Sequence, residues 1–256
     1  MKYDYLVYDY QDNFDYGYDG VLNKIAFDYN GKVISESDLV ICTARVMYER
    51  AVKINPNSVI VNNGNDYKTL TVMPSNINTE MSNIKSPIIG YLGGIRNWID
   101  FDLMKFLITN LKDVNFVFIS LVYRNARREF ENLLVHNNVK WISYKDQDLL
   151  PAYLNKFNVG IIPFKLNEFM KGVFPNKFFE YMACEVPIVT THLPELQKYS
   201  DIIGYSGTKV EFLENCRKAI SGDFREKVKQ YRKLAELNSW EKKAEKINSH
   251  IKKILK

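Results

Sequence analysis

Short apolar runs alternate along this chain with segments in which apolar residues recur every third or fourth position, the pattern of buried strands and amphipathic helices in turn. The first runs are Leu6-Val7-Tyr8, LVICT at 39–43 and SVIVNNG at 58–64, with a helical segment from Ala44 to about Lys53 between the last two. From Thr69 to Pro87 the periodicity is lost and Pro74, Pro87 and several Asn and Ser gather, which is the character of a linker. Beyond it the alternation returns in a longer series: IIGYLGG (88–94), NFVFIS (115–120), VKWIS (139–143), Val159 to Pro163, Val186 to Thr191 and DIIGYS (201–206). Helical spacing fills the gaps at 99–111, from about Asn125 to Val135, at DLLPAYLNKF (148–157), from Glu195 to Lys198 and at 210–221. Strand, helix and strand in that order predict an α/β protein with doubly wound parallel sheets. The expected divisions are a partial unit over 1–70, a linker over 71–86 and a complete unit over 87–222. One or two helices follow over 223–256, with Asn238-Ser239 as an internal N-cap.

Composition narrows the class. A hydrophobic content of 46% is ample for packed cores. No apolar run is long enough to span a bilayer, and the acidic start MKYDYLVYDYQDNFDY lacks the apolar length of a signal peptide, so a cytoplasmic protein is expected. Cys42, Cys184 and Cys216 are odd in number and widely spaced, which fits a reducing compartment, and His136, His192 and His250 are too scattered to predict a metal site. A net charge of +5 suits anionic substrates or an anionic membrane surface and is too small to argue for nucleic acid. The Lys-rich face of the C-terminal helices reads as solvated surface, although a helix in peripheral contact with a membrane would carry the same pattern.

Candidate chemistry concentrates in residues 158–191, read as strand, loop, helix and strand, with Pro175-Asn176 opening the helix. In an open parallel sheet ligands gather at the carboxyl ends of strands, where a helix start favours phosphate. Lys177 and Glu180, three residues apart, share one face of that helix while Phe178, Phe179, Tyr181 and Met182 supply the packing faces. A cation there can meet a diphosphate and a carboxylate one turn on can accept from ribose hydroxyls. The Gly93-Gly94 turn, with Arg96 beyond it, offers a second place where backbone N–H groups approach a phosphate; many such turns are merely tight. In the first unit, Asp9 and Asp12 follow a strand end and read either as turn formers or as functional carboxylates.

The string PNKFFEYMACEVPIV resembles the nucleotide-sugar signature of GT-B glycosyltransferases, in particular the family-4 retaining enzymes. GYLGGIRNW (90–98), the stretch from Trp141 to Leu154, NNG (62–64) and NSWEKKAEKI (238–247) fall in the order that family requires. The resemblance implies a GT-B-like fold: a complete C-terminal Rossmann-like domain, a partial N-terminal one lacking its early part, and a terminal helix that returns to brace the first domain. It implies a retaining, metal-independent glycosyltransferase that moves a sugar from a UDP- or GDP-linked donor, as substrate and with no cofactor, to a glycan or lipid-linked acceptor in cell-surface polysaccharide synthesis. It assigns donor binding to Gly93, Gly94, Arg96, Lys177 and Glu180 and to the backbone of Val173, Phe174 and Asn176. Ser143 and Tyr144 stand where the family reads the base, and Asp12 where an acceptor-orienting catalytic group stands.

Two departures matter. The family's Glu-x7-Glu pattern lacks its first member, since Gly172 stands eight before Glu180; Glu168 lies in the same loop at another spacing. The Lys usual after the Arg96 position is also absent, which shifts weight to Lys177 or Lys171. A three-stranded first sheet is expected to leave an apolar face and edges uncovered. That leaves room for a partner chain or oligomer over it, and for a non-catalytic nucleotide-sugar-binding subunit or half of a split enzyme as the alternative function.

Overall fold

The computed structural model describes residues 4–75 and 79–254. Three strands, β1 (Val7–Tyr10), β2 (Leu39–Cys42) and β3 (Ser58–Ile60), form a small sheet in the order β1-β2-β3. Six more form a second sheet: β4 (Ile88–Leu92), β5 (Asn115–Ser120), β6 (Val139–Ser143), β7 (Val159–Ile162), β8 (Ile188–Thr191) and β9 (Gly204–Ser206). Their order is β6-β5-β4-β7-β8-β9, and every pairing in both sheets is parallel. Among the described residues no helix is long and apolar enough to cross a membrane.

β2 is buried along its whole length, and its alternating side chains explain why. Val40 and Cys42 pack with Tyr10, Ile34, Met47 and Ala51 beneath the helices Lys24–Glu36 and Arg45–Ile54. Leu39 and Ile41, with Val61, face Ile247, Ile251 and Ile254 of the last helix, Trp240–Ile254. The sequence reading expected an uncovered apolar face on this sheet and, from the motif resemblance, a terminal helix returning to the first domain; that helix covers the face. The same helix corrects the expectation of a wholly solvated lysine face, because Lys243 is buried.

Other elements are shorter or longer than their apolar patterns suggest. Helix Lys24–Glu36 was not foreseen; it carries Gly31, a weak helix former, in its interior. It stays helical because Asn30 is tied sideways: Tyr8 Oη donates to Asn30 Oδ1 and Asn30 Nδ2 to Asp15 Oδ1, both at 2.8 Å. The run 148–157 is helical only over Leu150–Leu154, Pro194–Tyr199 is a 3-10 turn, and DIIGYS becomes extended only at Gly204.

Strand order reverses direction between β4 and β7, and at such a point a crevice opens at the carboxyl edge of the sheet. Ladder pairing of these strands is confined to Ile89 with Val159 and Gly90 with Gly160. Past that point Tyr181, from helix Lys177–Ala183, is wedged between them, and its fully buried Oη accepts from Leu92 N–H at 2.9 Å. Tyr181→Phe would strand that amide in the core. It is expected to cost about 1–3 kcal/mol of unfolding free energy, read as a lowered urea midpoint at constant m; an unchanged midpoint would show that the wedge is packing alone.

Candidate functional site

A cleft of about 660 Å³ opens above this crevice, between the carboxyl ends of the two sheets. Its floor is the turn after β4. Gly93 has φ +116°, a conformation side-chain-bearing residues rarely adopt, and a Cβ there would lie 3.4 Å from Lys177 Nζ. Tyr91 Oη donates to Gly94 O at 2.9 Å and closes the turn. Arg96 follows, with its guanidinium 3.4 Å above the Tyr123 ring centre, so that its orientation is fixed by stacking.

Helix Lys177–Ala183 supplies the opposite wall. At seven residues it carries little dipole, and the positive charge at its start is chiefly that of Lys177. The ammonium sits 4.6 Å from the Phe164 ring centre and 4.9 Å from that of Tyr91. Burial pushes Lys177 down to about 8, against the pull of the Glu180 carboxylate. Burial likewise raises Glu180, opposed by Lys177. Among the described residues neither side chain has a hydrogen-bond partner or a close ion pair, so one cation and one carboxylate face the cleft available to a ligand.

The small sheet contributes Gln11, Asp12 and Asn63 to the cleft, and burial raises the Asp12 carboxyl. Polar links close the two units on each other: Asn13 Nδ2 donates to Glu168 O at 3.0 Å, Asn63 Nδ2 to Phe174 O at 2.9 Å and Asn167 Nδ2 to Tyr18 O at 3.0 Å. Tyr18 seals one end, edge-on to Trp98 at 5.4 Å and to Phe169 at 4.8 Å. A Cβ on Gly172 would come within 2.5 Å of Asn13 Cβ, so a carboxylate at that position has no room.

Of the residues singled out in the sequence, the cleft gathers Asp12, Gly93, Gly94, Arg96, Val173, Phe174, Asn176, Lys177 and Glu180. Ser143 and Tyr144 are not among its lining; both are exposed at the carboxyl end of β6, two strands from β4. Lys171 and Glu168 pair with each other at 2.5 Å and stay outside the cleft. The sequence reading missed Tyr18, Trp98 and Trp240 as lining residues. The motifs GYLGGIRNW and NSWEKKAEKI contain Trp98 and Trp240, so these two were within reach; Tyr18 arrives only through packing of distant segments.

The family model described as glycosyl transferases group 1 matches residues 86–221. The putative teichuronic acid biosynthesis glycosyltransferase TuaH of Bacillus subtilis (strain 168) is 24% identical over 158 residues, which span 60% of this chain and 40% of TuaH. Among solved structures, Anabaena Alr3699/HepE in complex with UDP and glucose superposes with a TM-score of 0.76 at 13% identity, over 96% of this chain and 71% of that one. Sucrose-phosphate synthase from Thermosynechococcus elongatus gives 0.72 at 14%, over 91% and 62%. S. aureus TarM, solved with UDP, gives 0.65 at 15%, over 94% and 48%. The fold is GT-B, as the motif resemblance implied.

The opposed charges in the cleft make a titration test. Glu180→Gln removes the group that raises Lys177, so the Lys177 midpoint is expected to fall below about 8, followed by NMR of the lysine Cε–Hε resonances. A midpoint that stays in place would mean that the two groups do not sense each other.

Proposed function

Because this chain belongs to the group 1 glycosyl transferases, we propose that it performs the donor side of a retaining, metal-independent glycosyl transfer. The sugar passes from a nucleotide-sugar to a glycan or lipid-linked acceptor in cell-surface polysaccharide synthesis. The supporting observation is the convergence of the Gly93-Gly94 turn, Arg96, Lys177 and Glu180 in one cleft at the strand-order reversal. The UDP bound to HepE and to TarM supports a uridine nucleotide, and the name of TuaH supports a polysaccharide acceptor.

In this reading the diphosphate lies over the Gly93-Gly94 turn between Arg96 and Lys177, and Glu180 accepts hydrogen bonds from the ribose. The base runs along the sheet edge toward Ser143 and Tyr144. Backbone groups of Val173, Phe174 and Asn176 face the sugar. The anomeric C–O bond to the β-phosphate breaks, and the departing phosphate oxygen takes the proton of the acceptor hydroxyl as that oxygen bonds to the same face of C1. Lys177 and Arg96 meet the charge that develops on the leaving group, which is the task a metal would otherwise perform. Asp12, from the small sheet, orients the acceptor hydroxyl. A second reading, nucleotide-sugar binding without turnover, draws on the filled space at Gly172.

Hydrogen bonds to charged groups are worth about 1.5–3 kcal/mol, so Lys177→Gln and Glu180→Ala are each expected to weaken UDP binding by roughly ten- to a hundredfold in calorimetry. Asp12→Asn should leave UDP affinity in place and lower transfer. Anion binding raises the pKa of Lys177, so UDP should bind with proton uptake above pH 8 and more weakly as pH rises through about 8. A UDP affinity indifferent to Lys177 and Glu180 would overturn the placement; UDP-sugar that binds and is never hydrolysed or transferred would favour the second reading.

A further inference from the structure

Four cations close enough to repel one another gather beside the nucleotide cleft, Lys243 sharing a cavity wall with Trp240 and Lys246 standing next to the cavities rather than in their lining. Arg45 opens the helix after β2, Lys198 lies in the turn Pro194–Tyr199, and Lys243 and Lys246 project from helix Trp240–Ile254. Asn62 stands among them. It shares the wall of a cavity of about 310 Å³ with Arg45 and Lys198, and the wall of a smaller one of about 170 Å³ with Lys243. Lys198 Nζ donates to Asn62 Oδ1 at 3.3 Å, and Lys246 Nζ to Ile60 O at 2.7 Å. Asn63 and Trp240 line both the smaller cavity and the nucleotide cleft, so the two spaces adjoin.

None of these cations has a carboxylate within ion-pair distance among the described residues, although most other close pairs on the surface are lysine or arginine with a glutamate one turn away. Lys243 is only 9% exposed and has Asn238 Oδ1, at 2.6 Å, as its oxygen partner. Burial first, then Lys246 and Lys198, push Lys243 down to about 8; burial, Arg45 and Lys246 lower Lys198, which Glu195 opposes. One carboxylate stands in the wall of each cavity, Glu195 in the larger and Asp9 in the smaller; Glu195 accepts from Arg45 N–H and from Asn62 Nδ2, and Asp9 from Gln11 Nε2, so four cations face two carboxylates that are already hydrogen-bonded. Crowding like charges around a cavity, one of them buried, is unfavourable until an anion enters.

We propose that Arg45, Lys198, Lys243 and Lys246 form a second anion site, adjoining the nucleotide cleft, that takes a phosphate or carboxylate group carried by the acceptor. Its assignment to the acceptor rests on the glycosyl transfer argued above; the anion site itself does not. The site would hold a charged chain in register while its terminal hydroxyl reaches past Trp240 to the sugar.

The test uses the full chain carrying Lys177→Gln, which disables the nucleotide-side cation, titrated with inorganic pyrophosphate in one arm and glucuronate in the other. At least one should bind, with the tighter arm naming the source of the charge, and Arg45→Gln with Lys198→Gln should weaken it at least tenfold. Binding of neither, or equal affinity after the double substitution, overturns the proposal. If the substituted chain does not fold, amine labelling of the Lys177→Gln chain decides: the anion should shield Lys243 and Lys198 from acylation several-fold, and equal labelling with and without it overturns the site. Loss of UDP binding in the unsubstituted chain would instead count against the nucleotide cleft and leave this result standing.

Discussion

One hydrogen bond, from Leu92 N–H to the buried Tyr181 hydroxyl, governs the geometry of the cleft. The crevice opens where the strand order reverses, between the carboxyl ends of β4 and β7, and Tyr181 stands at its base. Tyr181 ends the pairing of β4 with β7 after Gly90 and satisfies the amide that the ladder leaves behind. Because Tyr181 lies one turn beyond Lys177 and next to Glu180, the residue that splits the sheet also fixes the helix that carries both charges. The crevice and its chemistry therefore share one anchor.

Asparagine amides on backbone carbonyls form a set of links between the two units. Asn13, Asn63 and Asn167 cross the cleft, and Asn65, buried to 1% exposure, donates to Ala235 O and Asn238 O where the last helix begins. An amide that reaches a carbonyl needs no particular partner side chain, so these contacts leave almost no pattern in the sequence. They also set limits on the site, since Asn13 occupies the space that any side chain at Gly172 would need.

Charge is distributed with the same asymmetry. In the cleft, Lys177 stands over aromatic rings rather than against a carboxylate, and Lys243 has an amide oxygen where an ion pair could form. Cations kept in low dielectric without a partner are costly by themselves and favourable once an anion arrives. Exposed lysines such as Lys229 and Lys242 show the ordinary alternative, pairing with a glutamate three residues away. Helical spacing alone makes those pairs, whereas the placement of Lys177 and Lys243 requires the assembled protein.

The amino-acid sequence determined by itself what local periodicity and spacing can determine. The alternation of apolar runs with helical segments gave parallel strands in order, and the three-residue spacing of Lys177 and Glu180 placed both on one helix face. Only the tertiary structure decided which strand ends share a cleft, that the returning helix buries Leu39 and Ile41, that Ser143 and Tyr144 stand outside the cleft lining, and that Lys171 is engaged with Glu168. The physical reason is range: hydrophobic patterning is set by neighbours within a turn or a strand, while the burial, pairing and charge of a side chain depend on segments that meet it from a hundred residues away.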